Sequence, residues 1–339
     1  MSEGKLKGVL IGAGYFSRFH MDAWQRIPEV QITAVCDVDS ERANTYAAEW
    51  NLPTVYTDPD EAIESEKPDF VDIVTPPDTH RALVEIAARR GVAVICQKPL
   101  APSLPEAQAL VALTEQCGIP FMVHENFRFQ PWHRELKKLL TGGVVGDAVY
   151  AVYWRMRMGD GWQPDAYLAR QPYFRTYPRL LIYETGIHLI DTVRYLLGGR
   201  VTGVFARLAR RNEAIAGEDS GVVVLEVDGR TQVILDMSRY NESQYANPRY
   251  TFADDLRIDA AGGSLRLTGD GTLFVQPLGK PAYEHRYAHE NRGFAGDCVR
   301  ACQQHFVDQL RAGQVFETSG PDYLLNLAVQ ETIYNQQTS

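Results

Sequence analysis

Apolar residues take two textures along this chain. In the first, short continuous runs alternate with segments of helical spacing. Lys7–Ile11, Gln31–Cys36, Phe70–Thr75, Val92–Gln97 and Phe121–Val123 are runs of strand length, the pattern of strands buried on both faces. Helical segments lie between them: after the first run to about Ile27, from Ser40 to Trp50, from the capping candidates Asp78 and Thr79 to about Arg90, and from Ser103 to Cys117. This alternation predicts an α/β unit with a doubly wound parallel sheet over residues 1–125.

The texture changes near Asn126. A helix near Trp132–Leu140 leads through Gly142, Gly143 and Gly146 into a long alternating segment, Ala148–Met158. A loop rich in aromatics and arginines follows, then a helix over Glu184–Leu197. Strand patterns succeed one another at Gly203–Leu208, Gly221–Val227, Thr231–Met237, Leu256–Ala260, Ser264–Thr268 and Thr272–Gln276. Helices over Gly293–Arg311 and Asp322–Gln336 close the chain. Residues 126–339 therefore read as an α+β domain with a large, mostly antiparallel sheet.

Composition narrows the classes. A formal net charge of −9 argues against non-specific binding to nucleic acid or an anionic membrane. No apolar run approaches the length of a membrane span, and the first residues lack the apolar stretch of a secretory signal. The cysteines at 36, 96, 117, 298 and 302 form no zinc-ligand spacing, so no metal is expected and the thiols read as reduced ones of a cytoplasmic protein.

Candidate chemistry begins at Gly12-x-Gly14-Tyr15-Phe16-Ser17, which follows the first strand and opens a helix. Glycines there permit a tight turn and close approach of backbone to a pyrophosphate, which the helix N-terminus attracts. Ser17 stands where a third glycine is common and is small enough for helix–strand packing. Asp37 ends the second strand, where a carboxylate accepts hydrogen bonds from an adenosine ribose and repels a 2′-phosphate. The pattern predicts a Rossmann domain that prefers NAD to NADP. Thr75, Pro76 and His80 lie at the carboxyl end of the third run, where an extended backbone can line the nicotinamide side; a plain turn into a helix explains them equally well.

Lys98 follows the run ending in Gln97 and precedes Pro99. Its ammonium emerges at a carboxyl strand end, the ligand edge of an open α/β sheet, although a solvated lysine fits the same spot. Glu184 and His188 share a face if their segment is a regular helix, and Gly186 leaves room beside them for a backbone or ligand. His188 is the natural proton acceptor near neutral pH. Arg155 and Arg157 point to one side of a strand. With Trp162 and Tyr167 they suggest either a sugar-acid pocket or a subunit contact.

Gly12-Ala13-Gly14, Lys98-Pro99, Glu125-Asn126-Phe127-Arg128-Phe129 and Gly186-Ile187-His188-Leu189-Ile190-Asp191 occur in one order at familiar separations. Over essentially its whole length the chain resembles the glucose–fructose oxidoreductase/inositol dehydrogenase/MocA family. The resemblance implies NAD(P)-dependent oxidation or reduction of a CH–OH group of a sugar, sugar acid or cyclitol. It implies Lys98, His188 and Glu184 as catalytic residues, cofactor contacts from Gln97 and Asn126, and Asp191 near the substrate. It also implies a cis Lys98–Pro99 bond and a homodimer or homotetramer assembled through the C-terminal sheet. Two departures stand out: Gln97 replaces the usual Glu before Lys-Pro, and Glu184 replaces the usual Asp before the histidine. The competing readings are an NAD-using glycosidase that oxidises its sugar transiently, and a non-catalytic NAD-binding sugar sensor.

Overall fold

The computed structural model describes residues 4–337. Its first sheet is built from β1 (Leu6–Ile11), β2 (Val30–Cys36), β3 (Thr54–Tyr56), β4 (Phe70–Ile73), β5 (Ala93–Gln97) and β6 (Phe121–His124). They pair in parallel in the order β3-β2-β1-β4-β5-β6. Val9, Leu10, Val71, Ile73, Val94 and Ile95 are wholly buried, which is why these strands read as unbroken apolar runs. The order reverses between β1 and β4, and a crevice opens outside the carboxyl ends of strands that diverge in this way.

Helices α1 (Ser17–Trp24), α2 (Ser40–Trp50), α4 (His80–Arg89) and α5 (Leu104–Cys117) stand where the spacing predicts them, and α3 (Pro59–Glu66) joins them. Neither α3 nor β3 is predicted by the apolar pattern. β3 is three half-buried residues, and α3 buries only Ala62 and Ile63. The signal for α3 lies in its start: Pro59 opens the helix and the Asp58 carboxylate accepts from the N–H groups of Asp60 and Glu61. Thr79, expected to cap α4, makes no cap; its hydroxyl donates to the Pro76 carbonyl instead.

The second sheet comprises β7 (Val149–Arg157), β8 (Val201–Ala209), β9 (Ser220–Val227), β10 (Thr231–Ser238), β11 (Asp255–Ala260), β12 (Gly263–Thr268), β13 (Leu273–Pro277) and β14 (Tyr283–His285). The order is β14-β13-β12-β11-β7-β10-β9-β8. Only the β7–β10 pair is parallel. The fold class predicted from the sequence is thus the one observed. β7 alternates Val152, Trp154 and Met156 inward with Tyr153 and Arg155 outward, so one face is covered and the other open. Helices α6 (Pro131–Thr141) and α7 (Ile187–Leu197) belong to this part of the chain.

Contacts divide the chain into two compact units. One holds the residues up to Asn126 with Val299–Leu325; the other holds Phe127–Cys298 with the residues from Asn326 on. The first unit takes in most of α8 (Cys298–Ala312), a segment the sequence pattern groups with the second domain. Phe306 explains the placement: its ring lies 5.3 Å from Phe70 and 6.5 Å from Trp24. Periodicity announces that such a helix has an apolar face but not which sheet will cover it. The final helix, α9 (Gly320–Asn335), follows. No helix of the described residues is long and apolar enough to cross a membrane, and no disulfide joins the described cysteines.

Candidate active site

In the first unit the glycine loop sits at the switch in strand order. Gly12 has φ +102°, and a Cβ added there would lie 2.5 Å from the Val74 carbonyl oxygen. The turn leaving β1 and the residues leaving β4 therefore approach closely, as only glycine allows. Gly14 differs, since an added Cβ would meet nothing within 4 Å. That open side, next to the start of α1, is a cradle suited to a pyrophosphate. Ser17 is fully buried and its hydroxyl donates to the Gly14 carbonyl at 2.7 Å. Phe16 takes the N-cap position without a side-chain cap, and Tyr15 is exposed beside it.

Asp37 ties this loop to β2. Its Oδ2 accepts from Ala13 N at 2.8 Å and its Oδ1 from Asp39 N at 3.0 Å. Arg42, one turn into α2, reaches Asp37 at 3.5 Å and Asp39 at 3.0 Å. Sequence adjacency hides this arginine, because a turn of helix separates it from the strand end. Ala13, Arg18, Asp39, Arg42, Thr45 and Tyr46 line a cavity of about 300 Å³ beside the loop. These groups fit the adenosine half of a dinucleotide.

Along the same sheet edge, Thr75 and Thr79 share a hydroxyl–hydroxyl hydrogen bond of 2.7 Å. His80 is buried, with Nε2 2.9 Å from the Thr75 carbonyl and Nδ1 3.0 Å from that of Leu100. Burial holds its pKa below the usual histidine value, against the pull of both carbonyls. The imidazole thus braces the turn after β4 against the segment after Lys98. The Lys98–Pro99 bond is cis, as the resemblance implies. Gln97 turns inward: its Oε1 accepts from Lys98 N at 2.7 Å and its Nε2 lies 3.0 Å from His20 Nε2. His20 in turn meets Asp72 at 2.8 Å. Neither His20 nor Asp72 carries a sequence motif, so spacing alone gives no hint of this buried group. Asn126 is buried too, and its Oδ1 has no hydrogen-bond partner among the described residues, leaving an acceptor for a ligand amide or hydroxyl.

In the second unit the helix expected over Glu184–Leu197 is not uniform. Leu181–Gly186 forms a π-helical turn that runs into α7, so the one-face geometry of an α-helix does not carry over from Glu184 to His188. The Ile182 and Tyr183 N–H groups donate to Glu218 and to the Tyr334 hydroxyl, which itself donates to Glu218 at 2.6 Å. Gly186 makes room for Ile182 and Met237, which an added Cβ would meet at 3.0 and 3.4 Å. Its smallness serves apolar packing rather than a ligand. His188 is buried, and Phe127 stacks on it at 3.9 Å with the rings 5° from parallel, a contact that fixes the imidazole plane.

Of the remaining sequence candidates, Asp191, Arg155, Arg157 and Tyr167 are engaged within the second unit. Asp191 is fully buried and accepts two hydrogen bonds from Arg128, at 2.8 and 2.5 Å, and one from Asn326 at 2.7 Å. Arg155 pairs with Asp254, and Arg157 with Asp236 at 2.6 Å. Trp162 is partly exposed. Tyr167 is buried under the Arg239 guanidinium, 5.1 Å from its ring, and burial pushes its hydroxyl up to about 12. Asp160 receives Arg239 at 2.6 Å and Arg249 at 2.8 Å. Burial raises its carboxyl, but the two guanidiniums outweigh that and hold it below the usual range. Among the described residues no cluster of His, Cys, Asp or Glu could hold a metal ion.

Comparison with known proteins follows this division of the chain. Residues 6–125 match the profile of an oxidoreductase family with an NAD-binding Rossmann fold, and residues 133–266 match a GFO/IDH/MocA C-terminal domain. A D-apiose dehydrogenase of Paraburkholderia graminis is 36% identical over 97% of this chain and 87% of its own length. Another, of Rhizobium rhizogenes, is 35% identical over 98% of this chain and 96% of its own. A crystal structure of an oxidoreductase from Agrobacterium radiobacter, in complex with NAD+, L-tartaric acid and magnesium, superposes with TM-score 0.89. It is 33% identical, over 99% of this chain and 97% of that one.

Proposed function

Since the chain belongs to the Gfo/Idh/MocA family of oxidoreductases, we propose that it is an NAD-dependent sugar dehydrogenase with D-apiose as its first candidate substrate. The observation that carries this reading is the identity of 35–36% across nearly the whole chain with two D-apiose dehydrogenases. The pairing of Arg155 and Arg157 with carboxylates supports an uncharged sugar over a sugar acid. The relatives are dehydrogenases, and neither the glycosidase nor the sensor reading gains support from them.

NAD, when bound, would supply the acceptor for the hydride of the carbinol carbon. Gly12, Gly14 and the start of α1 would take its pyrophosphate, Asp37 its adenosine ribose, and Asn126 its carboxamide or a substrate hydroxyl. Lys98 donates hydrogen bonds to the substrate oxygen as alkoxide character develops. His188 accepts the hydroxyl proton, held in plane by Phe127. Glu184 orients substrate hydroxyls. Self-association through the open face of the second sheet and a reducing, cytoplasmic setting belong to the same proposal. They draw support from the sheet's exposed Tyr153 and Phe205 and from cysteines that no disulfide joins.

Purified protein assayed for NADH formation with D-apiose, other aldoses, inositols and sugar acids tests the substrate. Highest kcat/KM on D-apiose is expected; turnover confined to inositols or sugar acids would sink the assignment. Replacing Lys98 with Ala should lower kcat by about a hundred-fold or more while NAD affinity stays nearly unchanged, and equal turnover in that variant would remove Lys98 from the mechanism.

A further inference from the structure

A carboxylate deep in the first unit reaches the backbone of Lys98 through two side chains, and the polarity of that chain can be read from its end. The Lys98 N–H only donates, so the Gln97 atom 2.7 Å away is the carbonyl Oε1. The Gln97 nitrogen therefore faces His20 Nε2, at 3.0 Å. An amide nitrogen also only donates, so His20 Nε2 carries the lone pair there. The ring proton is left on Nδ1, which donates to Asp72 Oδ2 at 2.8 Å. The Trp24 indole donates to the same oxygen at 2.6 Å. Asp72, His20 and Trp24 are all but fully buried and Gln97 is 6% exposed. A mismatched donor or acceptor is costly where polar groups are buried this deeply.

We propose that Asp72 and His20 are positioning residues for Lys98. Asp72 selects the Nδ1–H tautomer of His20, the tautomer orients the Gln97 amide, and the amide oxygen holds the Lys98 N–H. The direction in which the Lys98 side chain leaves β5 is thereby set by a carboxylate three links away. The inference rests on the reading of Lys98 as the donor to the substrate oxygen. Reversing any link puts two donors or two acceptors face to face and releases the Lys98 backbone. A displacement of about 1 Å at a catalytic group is enough to cost roughly a hundred-fold in rate.

The test combines ¹⁵N NMR of His20 in the full-length protein with steady-state kinetics on D-apiose and NAD. Wild-type His20 should show the neutral Nδ1–H tautomer. Asp72→Leu should lower kcat by about ten- to a hundred-fold with little change in KM for NAD. The double variant Asp72→Leu/Gln97→Glu should regain most of that loss. Its new carboxylate accepts both the Lys98 N–H and a His20 Nε2–H, so Asp72 is no longer needed. An Nε2–H tautomer in the wild type, or a double variant no better than the single one, would overturn the proposal. Should Asp72→Leu fail to fold, Gln97→Met decides. A fall in kcat at constant KM for NAD supports the relay, and a raised KM for NAD at constant kcat overturns it by giving Gln97 to the cofactor. Failure of the catalytic reading shows separately, as full turnover in Lys98→Ala; the relay fails on the tautomer or the missing rescue while Lys98→Ala is inactive.

Discussion

The proposed preference for NAD rests on a few charges at the end of β2. The Asp37 carboxylate closes β2, and Arg42 lies 3.5 Å from it. In that proposal Asp37 partly neutralises Arg42 and would repel a 2′-phosphate. Asp37→Ala removes the repulsion and leaves Arg42 beside the ribose. The ratio of kcat/KM for NADP over that for NAD should rise by at least about ten-fold, roughly 1.4 kcal/mol of discrimination. A ratio that does not move would show that specificity lies elsewhere. Activity with NAD falls as well, since Asp37 also holds Ala13 N. A second residue-scale consequence concerns acid. Burial pushes His133 down from 6.5 to about 4, more than its bond to the Phe127 carbonyl raises it. The unfolded chain thus takes up this proton before the folded one does. The stability it contributes is complete above pH 6.5 and is lost as pH falls toward about 4, by roughly 3 kcal/mol. Thermal melts across that range should therefore fall more steeply for the wild type than for His133→Asn; parallel curves would contradict the assignment.

At the scale of elements, what was legible in the sequence depended on whether burial or contact order carried the signal. The parallel strands were legible because burial on both faces leaves continuous apolar runs, and the antiparallel ones because one covered face leaves alternation. Three elements had neither signal: β3, α3 and β14, each short and with at most two buried residues. The π-helical turn at Leu181–Gly186 was illegible for another reason. It depends on Glu218 and Tyr334, which are distant in sequence. Motif residues such as Gly12, Asp37, Lys98 and His188 could be named in advance, whereas His20 and Asp72 could not; Phe127 lies in a motif, but its stacking on His188 depends on tertiary neighbours. The glycine loop allows the two kinds of constraint to be separated. Gly12→Ala forces a Cβ to 2.5 Å from a backbone oxygen at φ +102°, and should destabilise the protein by at least about 2 kcal/mol in denaturant unfolding. Gly14→Ala meets open space and should leave the unfolding midpoint unchanged while weakening NAD binding in calorimetry by about ten-fold or more. If Gly14→Ala bound NAD normally, the pyrophosphate would have to lie elsewhere.

For the whole molecule, the open face of the second sheet has a layout that calls for a partner. Phe205, Val224, Ile234 and Tyr153 stand in one cross-strand row, each paired with the next in register. Phe205 and Tyr153 keep 55% and 44% of their surface. Val222 is exposed next to this row, and Arg207, Arg155 and Arg257 border it. An apolar strip with a charged margin is how the centre and rim of a protein–protein interface are composed. An eight-stranded sheet offers a broad face, and a stable contact needs about 1,200 Å² of buried surface. A second copy of the same sheet, related by a twofold axis, would meet this strip with its own. Light scattering should accordingly give a mass of two or four times 38.1 kDa. The double variant Tyr153→Asp/Phe205→Asp places two carboxylates at the centre of each face. It should shift the mass to that of one chain without changing the far-ultraviolet circular dichroism, because both side chains point away from the core. A monomeric wild type, or a variant that keeps its assembled mass, would show that this face is not where the copies meet.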